Sequence, residues 1–150
     1  MKKLKIYSFF FILIFTKGCG YTPIYSSNNL DLKFNKIEYA PNTLNRQIFQ
    51  TLTSLSNSTG KKEYDVKFKT IKQRNIVSKN SKGDTETYEL KITLDLNVNN
   101  DGIEYFKKFS SKIKYSNNDN KFELNQYEVE IEKQIVNDLI ERIIIFFSEI

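Results

Sequence analysis

The sequence predicts an α+β fold: two helices packed on one face of a four-stranded mixed or antiparallel sheet, in the order β-α-β-β-β-α. Three features carry this expectation. Tyr88, Leu90, Ile92, Leu94, Leu96 and Val98 alternate with Glu89, Lys91, Thr93, Asp95 and Asn97, which gives one strand a buried face and a wet face. Asn99-Asn100-Asp101-Gly102 follows at once with an Asp-Gly hairpin signal. Two further stretches, around Ile48 and Ile135, repeat apolar residues at helical spacing.

The elements follow in chain order. Leu30, Leu32 and Phe34, then Ile37 and Tyr39, mark a first strand, and the parity change after Phe34 predicts a bulge or bend. Pro41 stops it, and Asn42 or Thr43 can cap the helix that begins there. Leu44, Ile48, Leu52 and Leu55 form that helix's stripe, and Asn57 to Gly60 end it. The next strand starts with Tyr64, Val66 and Phe68, and Ser81-Lys82-Gly83-Asp84 turns it into the long alternating strand. After Gly102, Ile103, Tyr105, Phe109, Ile113 and Tyr115 share one side of a third meander strand, opposite Glu104, Lys108, Lys112 and Lys114. Phe106 breaks that pattern. From about Leu124, Tyr127, Ile131, Ile135, Leu139 and Ile143 predict a long terminal helix. The first strand belongs in the sheet, but no pattern says beside which neighbour.

The N-terminus has a different character. Lys2, Lys3 and Lys5 precede an apolar run from Ile6 to Phe15, and Gly18 supplies a small residue at a cleavage point. A spanning helix needs about 20 apolar residues, so this run reads as a signal peptide over residues 1–18. Cys19, the single cysteine, then stands where a bacterial lipoprotein carries its acylated residue. Such signals usually place leucine and a small residue at the positions held here by Thr16 and Lys17. Residues 19–30, rich in Ser and Asn, read as a lipidated flexible tether, and 31–150 as a single domain. The rival reading is an ordinary secretory signal with an incidental cysteine.

Composition removes several functions. The chain's formal charge of +5 falls to +1 once the signal's four lysines leave, since 19 basic groups then face 18 acidic ones. That balance gives no reason to expect a nucleic-acid partner. There is no His, and one Cys, so imidazole or thiolate metal sites and Ser-His or Cys-His nucleophiles are excluded. Scattered glycines form no phosphate loop. A carboxylate-based hydrolase survives the elimination, but no pair such as Glu86 with Glu89 stands in an apolar setting. The expectation is a protein that is not an enzyme and has no cofactor.

Charge is uneven along the domain. Lys61 to Lys82 holds eight basic residues against Glu63 and Asp65, and Lys107 to Lys121 holds five lysines against Asp119. Placed on either side of the long strand, these segments are expected to share its wet face and attract an anionic partner. The candidate anion contacts are Arg74, Lys79 and Lys82 near the turn, then Lys112 and Lys114. A solvated sheet face, or edge lysines that block aggregation, is the competing account. Glu123 to Ile150 is acidic by contrast, and its Ile143-Ile144-Ile145-Phe146-Phe147 run is apolar all round the helix. Either Ile144 and Phe147 touch a surface outside the domain, or these last turns wedge between the sheet and the first helix.

One family matches these residues. Cys19-Gly20-Tyr21-Thr22-Pro23-Ile24-Tyr25 resembles the Cys-Gly-aromatic-x-Pro-aliphatic-Tyr opening of the LptE family of lipopolysaccharide-assembly lipoproteins. Leu44-Asn45-Arg46-Gln47-Ile48 and Tyr88-Glu89-Leu90-Lys91-Ile92 are similar to segments of that family, as is the order of elements. The resemblance implies a lipid-anchored protein on the periplasmic face of the outer membrane. It implies a protein that plugs and helps assemble the LptD β-barrel, with Ile144 and Phe147 as the expected barrel contacts, and that binds lipopolysaccharide, without cofactor or reaction. An auxiliary lipoprotein of an ABC-type lipid transporter is the alternative, and copurification with a barrel or with an inner-membrane ATPase separates the two.

Overall fold

The computed structural model describes residues 31–150. The expected signal peptide, Cys19 and the tether lie outside those residues. The elements are β1 (Leu32–Tyr39), α1 (Thr43–Leu55), β2 (Lys62–Lys79), β3 (Thr85–Asn100), β4 (Ile103–Ser116) and α2 (Lys121–Glu149). This is the expected order, and the sheet runs β1-β2-β3-β4. β1 is parallel to β2, whereas β2, β3 and β4 form an antiparallel meander, so the sheet is mixed. The neighbour that the sequence left open for β1 is β2, reached by crossing over through α1.

Local chemistry explains the joints. The register of β1 slips between Phe34 and Lys36, where the apolar parity changes. Asn42 caps α1, its side chain accepting from the Asn45 N–H at 2.7 Å. The β3–β4 turn places Asp101 at φ 48° and Gly102 at φ 88°, the two left-handed residues that a two-residue hairpin needs. α2 starts three residues earlier than the apolar spacing predicts. Asn120 accepts from the N–H groups of Phe122 and Glu123, so a polar cap opens the helix ahead of its first buried residue, Leu124.

Both helices cover one face of the sheet. Leu90, Ile92, Leu94, Leu96 and Val98 of β3 are buried beneath them, with Tyr64, Val66 and Phe68 of β2 alongside. Each such side chain contributes roughly 1.5–3 kcal/mol by leaving water, so the period-two pattern of β3 fixes which face is inside. The C-terminal turns of α2 also dock into the core. Ile143, Ile144, Phe146 and Phe147 are buried, and Phe147 packs edge-on against Phe34 at 5.1 Å and Tyr64 at 5.3 Å. Ile144 and Phe147, expected as barrel contacts, thus spend their surface inside the domain. They are 7% and 3% exposed, while Ile145 between them is 50% exposed.

Gly60 lies where the chain returns from α1 beneath β1. A Cβ there would come within 2.6 Å of the Leu32 carbonyl carbon and 2.8 Å of its oxygen, and backbone cannot swing aside as a side chain can. Gly60→Ala is expected to lower the unfolding free energy by about 1–3 kcal/mol, read as a drop in the urea midpoint at constant slope.

Candidate functional site

The face of the sheet turned away from the helices is uncovered among the described residues, and strand register arranges it in rows. Lys67, Asn97 and Phe106 lie side by side, then Lys69, Asp95 and Lys108, then Ile71, Thr93 and Ser110. Two more rows follow: Gln73, Lys91 and Lys112, then Asn75, Glu89 and Lys114. At the end nearest the β3–β4 hairpin a groove of about 760 Å³ is lined by Glu38, Lys67, Lys69, Asp95, Phe106 and Lys108. Phe106, the residue that broke the β4 pattern, lies on this face and is 69% exposed. The Lys112 row is six residues further along, about 20 Å away at the rise of an antiparallel strand.

Most charges here are paired loosely. Lys36 and Lys67 lie 2.5 and 3.5 Å from the two oxygens of Glu38, and Lys69 and Lys108 flank Asp95 at 3.7 and 3.3 Å. The hydrogen bond from Lys36, then its charge and that of Lys67, hold the Glu38 carboxyl below its usual range. Exposed pairs of this kind contribute about 0–1 kcal/mol, so an anionic ligand can displace them at little cost. Lys91 and Lys112 stand directly opposite each other across β3 and β4. Like charges so placed are unfavourable, and only Lys112 has relief, from Glu89 at 3.3 Å. Neither Lys91 nor Lys114 has an ion-pair partner among the described residues.

The predicted anion contacts do not form one cluster. Lys112 and Lys114 are on the open face; Lys79 ends β2 and Lys82 sits in the following turn. Arg74 is on the opposite, helix-covered side. Its Nε lies 3.2 Å from Glu128 Oε1, and its guanidinium stacks 3.9 Å above the Tyr88 ring. Tyr115 donates to the same Glu128 oxygen at 2.7 Å, and Tyr88 and Tyr115 stack at 5.7 Å. Arg74 therefore clamps β2, β3 and β4 to α2. Strand parity carried this signal: Tyr64, Val66, Phe68 and Arg74 share a face, while Lys67, Lys69 and Lys91 belong to the other. Lys91 was missed because its own strand reads as a core strand rather than as part of a basic segment.

The clamp carries a pH dependence. Burial, and then the hydrogen bond to Glu128, push the Tyr115 phenol well above its ordinary range; burial raises Tyr64 as well. A phenol whose folded pKa is raised stays neutral in the native state while the unfolded chain ionises near pH 10. The stability it contributes is thus complete below about pH 10 and is lost as pH climbs toward the folded value. Urea unfolding at pH 8 and pH 11 is expected to show this loss, and Tyr115→Phe to diminish it.

These features define a class: a two-layer α+β domain that offers a cationic, aromatic-edged sheet face and has no cluster of metal-ligating residues among those described. The particular family follows from sequence. Residues 29–145 match the profile of the lipopolysaccharide-assembly family LptE, and the chain belongs to it. No curated protein matches the chain. Solved structures share the fold at low identity. The crystal structure of rare lipoprotein B from Shewanella oneidensis is 13% identical with a TM-score of 0.63, over 78% of this chain and 94% of that one. The solution structure of lipoprotein B from Nitrosomonas europaea is 14% identical with a TM-score of 0.56, over 76% and 83%. A minor lipoprotein from Acinetobacter baumannii is 18% identical with a TM-score of 0.52, over 76% and 89%.

Proposed function

We propose that this chain is a non-enzymatic outer-membrane lipoprotein of the lipopolysaccharide transport machinery. An acylated Cys19 holds it to the periplasmic side of the outer membrane, with residues 19–30 as tether and 31–150 as the working domain. It plugs and helps assemble an LptD-type β-barrel and binds lipopolysaccharide for delivery to the surface. No cofactor takes part.

The observation that carries the lipid-binding half is the open sheet face. Lys91, Lys112 and Lys114 concentrate positive charge with one carboxylate, Glu89, among them. Phosphate groups of lipid A relieve the Lys91–Lys112 repulsion that water only screens. The uncharged row of Ile71, Thr93 and Ser110 lies next to these lysines, and Phe106, beyond the Lys69–Asp95–Lys108 row, gives acyl chains an apolar contact. Arg74 supports this face from behind, through Glu128, rather than meeting the ligand. Ile145, the exposed member of the apolar run in α2, replaces Ile144 and Phe147 as the side chain that faces a barrel wall.

The triple variant Lys91→Gln, Lys112→Gln, Lys114→Gln is expected to weaken binding to lipopolysaccharide micelles by about tenfold or more. Enzymatic removal of the lipid phosphates is expected to abolish the difference between variant and wild type. Equal affinity of the two proteins for the phosphorylated lipid would refute the assignment.

A further inference from the structure

β1 leaves part of a sheet edge open. It pairs with β2 only as far as Phe68, and Ala40-Pro41 then turn the chain away into α1. β2 continues to Lys79, so from Thr70 to Ile76 its outer side has no neighbouring strand among the described residues. The hairpin fixes which groups face outward. Asn100 and Ile103 close the two-residue turn and bond to each other, so Asn99 bonds the other way, to Asp65. Continuous register then turns Ile71, Gln73 and Asn75 toward β3. The N–H and C=O groups of Thr70, Lys72, Arg74 and Ile76 point to the open side, about 20 Å of ladder at 3.3 Å per residue.

Sheets normally blunt such edges with short strands, bulges, prolines or free lysines. β1 is short and bulged, and β4 carries Lys107, Lys108, Lys112 and Lys114. The 70–76 edge lacks these devices. Its register is regular up to Ile76, it contains no proline, and its two cations are drawn to the helix side by Glu132 at 2.5 Å and Glu128 at 3.2 Å. Ile71, Ile76 and Val77 are exposed beside it. At its base, a notch of about 270 Å³ opens between α1, Thr70, Lys72 and Glu132.

We propose that this edge receives an extended, acidic segment of the barrel partner as an added fifth strand; the inference rests on the barrel partnership proposed above. The chain's own N-terminal residues fit poorly. Asp31 is held at the start of β2 by the N–H groups of Lys61 and Lys62, about 26 Å from Thr70 along the strand. Residues 19–30 span about 40 Å at most, so only about four of them could reach the edge. A second copy of the chain fits no better, because the run from Val66 to Gly83 has six basic residues and no acidic one and would face itself. An acidic strand meets that charge favourably, with Lys79 and Lys82 free of ion pairs among the described residues.

The test compares variants of the full-length acylated protein, recovered from outer membranes with the barrel that accompanies it. Ile76→Pro deletes one outward N–H and is expected to lower barrel recovery about tenfold, whereas Ile76→Ala keeps the N–H and stays within about twofold of wild type. Lys79→Glu with Lys82→Glu leaves the ladder intact and is expected to reduce recovery about as much, which covers the case of a proline that unfolds the hairpin. A photoreactive Ile76→p-benzoylphenylalanine is expected to crosslink to an acidic segment of the barrel. Full recovery with both the proline and the charge variants, or a crosslink that lands in lipid or in a second copy of the chain, overturns the proposal while the barrel partnership stands. If the wild-type protein recovers no barrel, the partnership itself fails and the added strand with it.

Discussion

Phe147→Ala is expected to destabilise the isolated domain by about 3–5 kcal/mol. The side chain is buried against Phe34, Tyr64 and Phe146, with centroid distances of 5.1, 5.3 and 5.6 Å. It joins the last turn of α2 to β1 and β2, so truncation opens a cavity where a helix, two strands and another aromatic ring meet. A domain of this size has about 5–15 kcal/mol in total, and the loss consumes a large share of it. Ile145→Asp, two residues away but half exposed, is expected to change stability by no more than about 0.5 kcal/mol. Urea denaturation of residues 31–150 reads both. A midpoint for Phe147→Ala within error of wild type would mean that α2 does not dock as described and would return Phe147 to the partner-facing role.

Cys19→Ser is expected to move the protein from the outer-membrane fraction to the soluble periplasm. Each buried methylene of an acyl chain adds about 0.8 kcal/mol of membrane affinity, so two or three chains anchor firmly where one binds marginally. Among the described residues no helix is long and apolar enough to cross a membrane. Position 19 lies outside the described residues 31–150, and the melting temperature of that folded part is expected to be unchanged by the substitution. Incorporation of labelled palmitate into wild type and not into Cys19→Ser is the accompanying readout. A Cys19→Ser protein that still pellets with membranes through a high-salt wash, and still supports growth, would remove the anchor from the account.

The parts of the fold that could be read from sequence were those where one local period decides the matter. β3 alternates without interruption because one of its faces is buried from Leu90 to Val98 while the other carries half-exposed polar side chains. The Asp101-Gly102 turn could be read for a similar reason, since few residues tolerate its backbone. The partner of β1 could not be read, because parallel pairing through a helical crossover leaves no mark in the short strand itself. The end of α2 misled for a physical reason too. A run that is apolar on every side shows that all its surface is used, but the same residues satisfy a neighbour within the domain or outside it. Here Phe34, Tyr64 and the sheet take Phe147, and only Ile145 is left over. Arg74 was grouped with Lys79 and Lys82 by its position in the sequence. The pleat of β2 turns it to the other face, where Glu128 and the Tyr88 ring hold it.

The most direct test is affinity purification of the acylated protein from outer membranes, with bound protein and lipid identified by mass spectrometry. Recovery of a heat-modifiable LptD-type β-barrel together with lipopolysaccharide is the predicted result. Recovery of inner-membrane ATPase components in their place, with neither barrel nor lipopolysaccharide, would contradict it.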